Sequence, residues 1–278
     1  MNSDLKVTLL GTGAPRPTLQ RSGPSQVVHV GDEMFLVDCG DGATTQLLRA
    51  NINPGDIKKA LFTHLHTDHT LGYGQFVLGG WTYGRRALSV WGPRGLARLT
   101  DTLFKDLYKE DIEYRTSLGR PASGLWDIRV SEIGPGKIIE GEKYTVTTTE
   151  VVHSIYTVAY RFDFAGQSLV ISGDTGYCDN LVELARGADL LVQDACVADT
   201  DQYSSSAEER RLWENLRKHH TSASDAGRIA REAGVHKLVL THFLPGADTT
   251  AMARDCAKEF DGEIIFGEDL MTVGSLGT

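Results

Sequence analysis

At residues 64–69 the chain carries the stretch His-Leu-His-Thr-Asp-His, directly after the apolar segment Ala-Leu-Phe-Thr at 60–63. Four side chains that bind transition metals therefore lie within six residues, where a predicted strand ends. Imidazole nitrogen and carboxylate oxygen are the usual ligands of zinc and of its neighbours in the first transition row. His64 and His66 project to the same side of an extended segment, because side chains alternate along it. Asp68 and His69 lie beyond the bend, so we expect them to reach a second ion.

Three later residues of the same chemical type also follow predicted strands. His153, Asp174 and His242 each come directly after an apolar run, and Asp174 lies in a glycine-flanked turn. Loops held by a rigid scaffold commonly carry catalytic groups. A buried core histidine is the alternative for His153 or His242 taken alone. Because five of the nine histidines lie at strand ends, the pattern favours one shared metal site.

Length and composition indicate one domain spanning residues 1–278. A chain of 278 residues with 41% hydrophobic content can bury a substantial core. No segment approaches the roughly 20 apolar residues that cross a bilayer, and the first residues lack the basic and apolar regions of a secretory signal. Four dispersed cysteines are typical of reduced thiols rather than disulfides. We therefore expect a cytoplasmic protein without a membrane partner.

Apolar strands alternate with helical stretches, which is typical of a layered α/β domain. Helical spacing predicts helices over 180–187, 222–233 and 249–260, with a serine cap and a following glycine for the second. The segments 119–124 and 199–206 are predicted as surface loops.

Together these motifs resemble the metallo-β-lactamase superfamily, and within it the RNase Z and arylsulfatase-like branch. The resemblance rests on the segments 7–13 (Val-Thr-Leu-Leu-Gly-Thr-Gly), 35–42 (Phe-Leu-Val-Asp-Cys-Gly-Asp-Gly), 64–69, 172–175 (Ser-Gly-Asp-Thr), 220–223 (His-Thr-Ser-Ala) and 240–243 (Leu-Thr-His-Phe), together with His153. It implies an αββα sandwich of two mixed β-sheets flanked by helices, with a metal site at one edge.

The resemblance also implies seven metal ligands and two divalent cations. It assigns His64, His66 and His153 to one ion, Asp68, His69 and His242 to the other, and Asp174 to both. Zinc is the expected metal, with manganese and iron as alternatives, because spacing alone does not separate them. Two such ions lower the pKa of a shared water, so that a bridging hydroxide would be the nucleophile of a hydrolase. No Gly-x-Ser-x-Gly motif offers a serine nucleophile instead.

Asp68, His220 and Asp194 are the expected catalytic side chains. In RNase Z-like proteins a histidine in the context of His220 pairs with an acid after the preceding strand, for which Asp194 is the match. A carboxylate on one ring nitrogen stabilises imidazolium and directs it, as a general acid requires. The alternative is that Asp194 and His220 only cap a turn and a helix. Further acids at 38 and 41 are expected to orient ligating imidazoles, with a turn role as the alternative.

The expected substrate is a small molecule carrying a phosphodiester, a sulfate ester or a related ester. Arg16 and Arg21 could approach an anionic group. A tRNA 3′-end endoribonuclease is disfavoured but stays open: residues 160–167 leave no room for the arm with which RNase Z grips tRNA, and the net charge is −9. A lactone, thioester or amide hydrolase with the same site, an iron-dependent oxidoreductase, and a binding protein without catalysis also stay open.

The segment 72–126 holds a dense group of aromatic residues and several glycines. Its aromatic members are Tyr73, Phe76, Trp81, Tyr83, Phe104, Tyr108, Tyr114 and Trp126. They could form the wall of a substrate pocket or a lid, but helix-to-sheet packing or a dimer surface would use the same residues. A homodimer is the commonest assembly of soluble proteins and also stays open.

Overall fold

The structure is a computed structural model that describes residues 5–197 and 206–275. Its strands are β1 (Leu5–Gly11), β2 (Ser25–Val30), β3 (Glu33–Val37), β4 (Lys59–Leu61), β5 (Ser89–Gly92), β6 (Arg129–Glu132), β7 (Gly136–Glu140), β8 (Tyr144–Val151), β9 (Thr157–Phe164), β10 (Gln167–Ile171), β11 (Leu190–Asp194), β12 (Lys237–Thr241), β13 (Glu263–Phe266) and β14 (Thr272–Gly274). Its helices are α1 (Ala43–Arg49), α2 (Thr67–Thr70), α3 (Tyr73–Thr82), α4 (Leu96–Asp101), a π-helical turn (Thr102–Leu107), α5 (Lys109–Ser117), α6 (Asp179–Leu184), α7 (Ala207–Leu216), α8 (Ala223–Ala233) and α9 (Thr249–Cys256).

Two mixed β-sheets pack face to face between layers of helices. Sheet one has the strand order β14-β1-β2-β3-β4-β5-β6, and sheet two has the order β13-β12-β11-β10-β9-β8-β7. Buried residues of both sheets, among them Phe35 and Phe162, form the core between them. Separate apolar clusters join sheet one to α1 and α3 and sheet two to α6, α8 and α9. The αββα sandwich predicted from the sequence is therefore confirmed.

Sheet two brings three candidate site residues to one edge. Strands β10, β11 and β12 run parallel to one another and are buried throughout, which explains their continuous apolar sequences. Their carboxyl ends therefore lie side by side, and loops at this edge are where open α/β sheets bind ligands. Asp174 follows β10, Asp194 ends β11, and His242 follows β12.

The connection between β9 and β10 is a two-residue turn. Phe164 pairs with Gln167, and Ala165 and Gly166 both adopt positive φ angles, 52° and 80°. Such a turn suits the twist of a two-stranded hairpin. The structure therefore has no arm inserted at this position, as the sequence predicts.

The helix predictions differ from the structure at the carboxyl ends. Helix α8 matches 222–233, with Ser222 accepting a hydrogen bond from Asp225 N and Gly234 ending the helix at φ 65°. Helices α6 and α9 end at Leu184 and Cys256, short of the predicted 187 and 260, because each last stretch tightens into a turn. The loop at 119–124 is present, whereas most of the loop predicted at 199–206 lies outside the described residues.

The aromatic segment 72–126 forms α3, β5, α4, the π-helical turn, α5 and the loops that join them. Tyr73, Phe76, Trp81 and Phe104 are buried in the cluster between these helices and sheet one. Tyr83 and Tyr114 are exposed instead. The buried members therefore serve helix-to-sheet packing, and a lid formed by the rest stays a proposal. Among the described residues, no helix has the length and apolar character needed to span a membrane.

Candidate metal centre

The segment 64–69 follows β4 and lies against the loop after β3, where Cys39 N donates to the His69 carbonyl oxygen at 2.8 Å. Helix α2 is a single turn that begins after His66 and carries Asp68 and His69. Close packing requires glycine at residue 40, because a Cβ there would lie 2.4 Å from the Asp68 carbonyl oxygen. The short helix is thereby held against the first sheet, and its ligand-type side chains face the second.

One group of donor atoms consists of three imidazoles and one carboxylate. His66 Nδ1 lies 3.1 Å from His64 Nε2 and 3.1 Å from His153 Nε2. Asp174 Oδ2 lies 3.7 Å from His64 Nε2 and 3.9 Å from His153 Nε2. The His219 carbonyl oxygen, 2.8 Å from His153 Nδ1, accepts that N–H and so leaves Nε2 for the group. All four donor atoms lie within 4.8 Å of one another.

A second group lies deeper and shares Asp174 with the first. His69 Nε2 is 3.4 Å from His242 Nε2, 3.6 Å from Asp68 Oδ2 and 3.3 Å from Asp174 Oδ1. His242 Nε2 is 3.4 Å from Asp68 Oδ2 and 3.3 Å from Asp174 Oδ2. His242 takes a positive φ of 62°, a rare conformation for a residue with a Cβ, which turns its ring inward after β12. A carboxylate oxygen of Asp174 thus lies within 3.9 Å of a ring nitrogen of every histidine in the two groups except His66.

Asp38 and Thr63 hold two imidazoles from behind. The Asp38 carboxylate accepts hydrogen bonds from Thr63 N and Thr63 Oγ1, each at 2.8 Å, and lies 2.9 Å from His69 Nδ1. Because a carboxylate only accepts, Nδ1 of His69 carries the hydrogen and Nε2 faces the donor group. The Thr63 hydroxyl, which donates to Asp38, accepts from His64 Nδ1 at 3.0 Å. Thr63 was missed in the sequence, although it directly precedes the first ligand-type histidine.

The first group is neutral at its imidazoles. Burial lowers the pKa of His64 well below its usual value and also lowers the pKa of His66 and His153, against the raising influence of Asp174. A neutral imidazole is the form that binds a metal ion. These three rings are therefore ready to bind a cation at neutral pH without first losing a proton.

In the second group the carboxylates favour positive charge on both imidazoles. Burial opposes protonation of His69, but Asp174 and Asp38 outweigh it and hold its pKa well above the usual value. For His242, Asp174 and the hydrogen bond with Asp68 likewise overcome burial and raise its pKa. In return, these imidazoliums outweigh the burial of Asp174 and hold its pKa well below the usual range. The carboxylates thus stabilise positive charge at this position, which a divalent cation can supply in place of protons on the rings.

The donor atoms fit metal ions better than they fit hydrogen bonds among themselves. His66 Nδ1 faces two ring nitrogens, and a single hydrogen can satisfy only one of them. A cavity of about 20 Å³ is bounded by His69, Asp174 and His242 among others, which is room for one water or ion. Nitrogen and carboxylate donors without a thiolate suit zinc, manganese or iron. The donor set therefore favours two cation sites joined by Asp174.

His220 and Asp194 form a hydrogen-bonded pair beside these groups. His220 Nδ1 lies 2.9 Å from Asp194 Oδ2 and 4.0 Å from Asp174 Oδ2. Burial opposes protonation of His220, but the adjacent Asp194 outweighs it and raises the pKa of the ring to about 9. The Asp194 carboxylate is itself fixed by Thr175 N at 3.2 Å and by Cys196 N at 2.9 Å. The pair therefore presents a directed imidazolium at neutral pH.

The structure gathers most of the residues singled out in the sequence and leaves others apart. The side chains of all seven candidate ligands, of His220 and of Asp194 meet at one edge of the sandwich. Asp41 is exposed, unlike Asp38. Arg21 is occupied by internal contacts with Thr12, with the Gly267 carbonyl oxygen at 2.8 Å and with the Phe243 ring.

Two further features could not be read from sequence motifs. Cys196 lies beside His220 and His242, two residues after the end of β11 and next to the bridge between Val197 and Ser222. A cavity of about 630 Å³ lies at the opposite end of sheet two, near the turns at 141–143 and 165–166. Its lining contains none of the candidate metal ligands, so its size does not mark the reactive site.

Comparison with known proteins agrees with this architecture. Residues 33–243 match the family described as Beta-lactamase superfamily domain. Ribonuclease Z of Mycobacterium marinum is 33% identical over 279 residues, covering 97% of this chain and 98% of that protein. The metallo-beta-lactamase fold protein YhfI from Bacillus subtilis superposes with a TM-score of 0.76 at 21% identity, covering 98% of this chain and 99% of that chain. The short form of human tRNase Z gives a TM-score of 0.73 at 23% identity, covering 98% and 100%. The chain therefore belongs to the metallo-β-lactamase superfamily, in its ribonuclease Z-like branch, and is a metal-dependent hydrolase.

Proposed function

We propose that this hydrolase cleaves phosphodiester bonds, using two divalent cations and His220 as the proton donor to the leaving group. The proposed ligands are His64, His66, Asp68, His69, His153, Asp174 and His242. Zinc is the proposed metal, because the imidazole-rich donor set suits it. The observation that carries the proposal is the His220–Asp194 pair beside Asp174, since a leaving group that departs as an alkoxide needs a nearby acid.

When bound, a pair of such cations lowers the pKa of water and stabilises charge on the oxygens of the reacting phosphate. The chain itself supplies orientation and the proton. Asp194 holds Nδ1 of His220 and stabilises the imidazolium, which leaves Nε2 to donate. As the phosphorus–oxygen bond breaks, the leaving oxygen takes that proton and the neutral ring then regains one from solvent. Asp68 keeps negative charge beside His242 through a pKa that is lowered despite burial by their hydrogen bond.

An arginine side chain near the site is available to contact a phosphate oxygen of the substrate. A cavity of about 160 Å³ lies beside Phe243 and is lined by Arg16 and Arg21. Arg21 is half-buried and holds internal contacts, whereas Arg16 is exposed. We therefore propose Arg16 for contact with a phosphate and Arg21 for shaping the loop, which refines the role expected of both from the sequence.

An RNA 3′ end is the second candidate substrate. Relatives named Ribonuclease Z favour it, and the alignment of 279 residues spans 98% of the Mycobacterium marinum protein. That relative therefore has no room for a long additional arm either. The missing arm thus carries less weight against RNA than the sequence alone suggests. The net charge of −9 still opposes a broad attraction to nucleic acid.

A substrate series tests the proposal directly. Zinc-loaded protein is assayed with bis(4-nitrophenyl) phosphate, 4-nitrophenyl sulfate, a simple lactone, and an RNA hairpin with a 3′ trailer. We expect turnover of the phosphodiester, and cleavage of the hairpin would assign the RNA substrate. Turnover of the lactone alone would overturn the proposal.

Leaving-group dependence tests the proton donor. The His220→Asn variant is expected to lose about 10²–10⁴-fold in rate with an alkyl or RNA leaving group, and much less with 4-nitrophenolate, which departs without a proton. His236→Asn is the matched control, because His236 is exposed and lies at the other end of β12. An equal loss for good and poor leaving groups would contradict the role of His220.

A further inference from the structure

Four buried donor side chains form a cluster that shares two members with the proton-donating pair. Asp194, Cys196, His220 and His242 each place one ligand atom so that all four lie within 4.8 Å of one another. Asp194 and Cys196 lie at the end of β11, His220 precedes α8, and His242 follows β12. This cluster contains a thiol, unlike the two groups around Asp174.

An unsatisfied nitrogen points into this cluster. His242 is 2% exposed, and its Nδ1 atom has no hydrogen-bond partner among the described residues. That nitrogen lies 3.6 Å from Asp194 Oδ1, whereas Nε2 of the same ring faces Asp68 and Asp174. A buried ring nitrogen without a partner costs free energy, so it marks a place where a ligand could be held. His242 therefore presents one nitrogen to each of two donor sets.

The spacing suits a small thiophilic cation. A tetrahedral zinc ion with bonds of about 2.0–2.3 Å keeps its ligand atoms about 3.3–3.8 Å apart. The separation of 3.6 Å between His242 Nδ1 and Asp194 Oδ1 is in this range. The distance of 2.9 Å between His220 Nδ1 and Asp194 Oδ2 reflects a hydrogen bond, whose proton a cation would replace. All four donor atoms lie within 4.8 Å of one another, so rotation of the side chains is enough to bring them to bonding distance.

We propose that Asp194, Cys196, His220 and His242 form a regulatory site for zinc or cadmium that switches the hydrolase off. Binding forms bonds from the cation to the Cys196 sulfur, to an Asp194 oxygen and to the Nδ1 atoms of His220 and His242. The thiol proton and the Nδ1 protons of His220 and His242 leave to solvent, so that the His242 ring becomes an imidazolate. A thiolate ligand selects zinc, cadmium and cobalt over magnesium and manganese. Because the cation holds His220 and Asp194, the proton donor is lost. The inhibition, though not the binding, rests on the proposed function.

Charge-transfer absorption tests the site independently of catalysis. Protein loaded with two equivalents of zinc is titrated with cadmium or cobalt, and the ultraviolet charge-transfer band of the thiolate–metal bond is recorded. We expect one such band per chain, which persists in Cys178→Ser and is absent from Cys196→Ser. Cys178 is the matched control because its thiol is half-buried and lies outside the cluster.

A second variant guards against a folding defect in Cys196→Ser. The His220→Gln variant keeps the thiol, and we expect its band to require roughly tenfold or more cation. Magnesium should produce no band in any variant. The proposed site would be overturned if the wild type showed no band. It would also be overturned if the band persisted in Cys196→Ser or were unchanged in His220→Gln.

The inhibition is measured separately, with a phosphodiester whose alkyl or RNA leaving group needs the proton from His220, as each variant's rate relative to its own rate without added zinc. We expect excess zinc to inhibit the wild type and Cys178→Ser at concentrations roughly tenfold or more below those needed for Cys196→Ser. A band without any phosphodiesterase activity would refute the proposed function and leave the site standing. Activity together with the band but without inhibition would refute the regulatory role.

Discussion

Asp38 shows how strongly the metal centre depends on a residue that does not face a cation. Its backbone has a φ of 56°, which asparagine tolerates, and its carboxylate contacts Thr63 and His69 only as an acceptor. In Asp38→Asn the new amide group must face a donor. We therefore expect zinc affinity to fall about 10–100-fold, measured by competition with a chromophoric chelator.

Asp41→Asn is the matched control for that experiment, since Asp41 lies three residues away with an exposed side chain. Its zinc affinity should equal that of the wild type. Equal affinities in both variants would mean that His69 is oriented by packing rather than by Asp38.

His29 predicts a pH dependence that is separate from the metal centre. Burial, together with the charge of Lys6, lowers the pKa of His29 to about 4, and its Nε2 lies 3.0 Å from Thr8 Oγ1. Between pH 6.5 and 4 the unfolded chain binds a proton at this residue that the folded chain refuses. The free energy of unfolding therefore falls as the pH falls through this window. After allowance for partial exposure, the loss is about 1–2 kcal/mol.

The measurement is urea unfolding of chelator-treated wild type and His29→Gln at several values between pH 7 and pH 4. We expect the wild type to lose more stability on acidification than the variant, because glutamine does not titrate. Parallel stability curves would show that His29 titrates alike in the folded and unfolded chain.

At the scale of single elements, helix α3 is held to the first sheet by the buried guanidinium of Arg85. Its Nη2 donates to the carbonyl oxygens of Phe76 and Val77, at 3.1 and 2.9 Å, and Nη1 donates to those of Pro54 and Ile57, at 3.2 and 3.3 Å. One planar group thereby joins the helix to the loop before β4. Because β4 leads into the ligand segment, this contact also supports the site.

Replacing Arg85 by Met is expected to lower the free energy of unfolding by about 3–5 kcal/mol, because charged hydrogen bonds are lost and buried carbonyls remain. Arg85→Lys should recover only part, since an ammonium lacks the planar fork. Urea unfolding measures both variants. Arg86→Met is the control, because Arg86 is exposed. Equal stability of Arg85→Met and Arg86→Met would refute the anchoring role.

For the whole molecule, sequence reasoning succeeded where position along a strand determines position in space. Asp174, Asp194 and His242 follow neighbouring parallel strands, so their proximity follows from the strand pattern once the sheet order is known. Cys196 follows the same strand edge, but a single cysteine carries no motif that would select it. The exposure of Asp41 depends on the course of the loop after β3, which the sequence pattern does not determine. Side-chain direction, rather than element order, was thus the part out of reach.

The two sheets also predict what a cation contributes to the whole fold. His64, His66, Asp68 and His69 come from the side of sheet one, whereas His153, Asp174 and His242 come from sheet two. A cation at either group therefore links the sheets and binds only the folded chain.

At 100- to 1,000-fold excess over its dissociation constant, one zinc ion adds about 3–4 kcal/mol to the free energy of unfolding. We expect zinc to raise the Tm of chelator-treated protein by roughly 10 °C, and to raise that of Asp174→Asn much less. Equal shifts in both proteins would show that zinc stabilises the fold from somewhere other than the seam between the sheets.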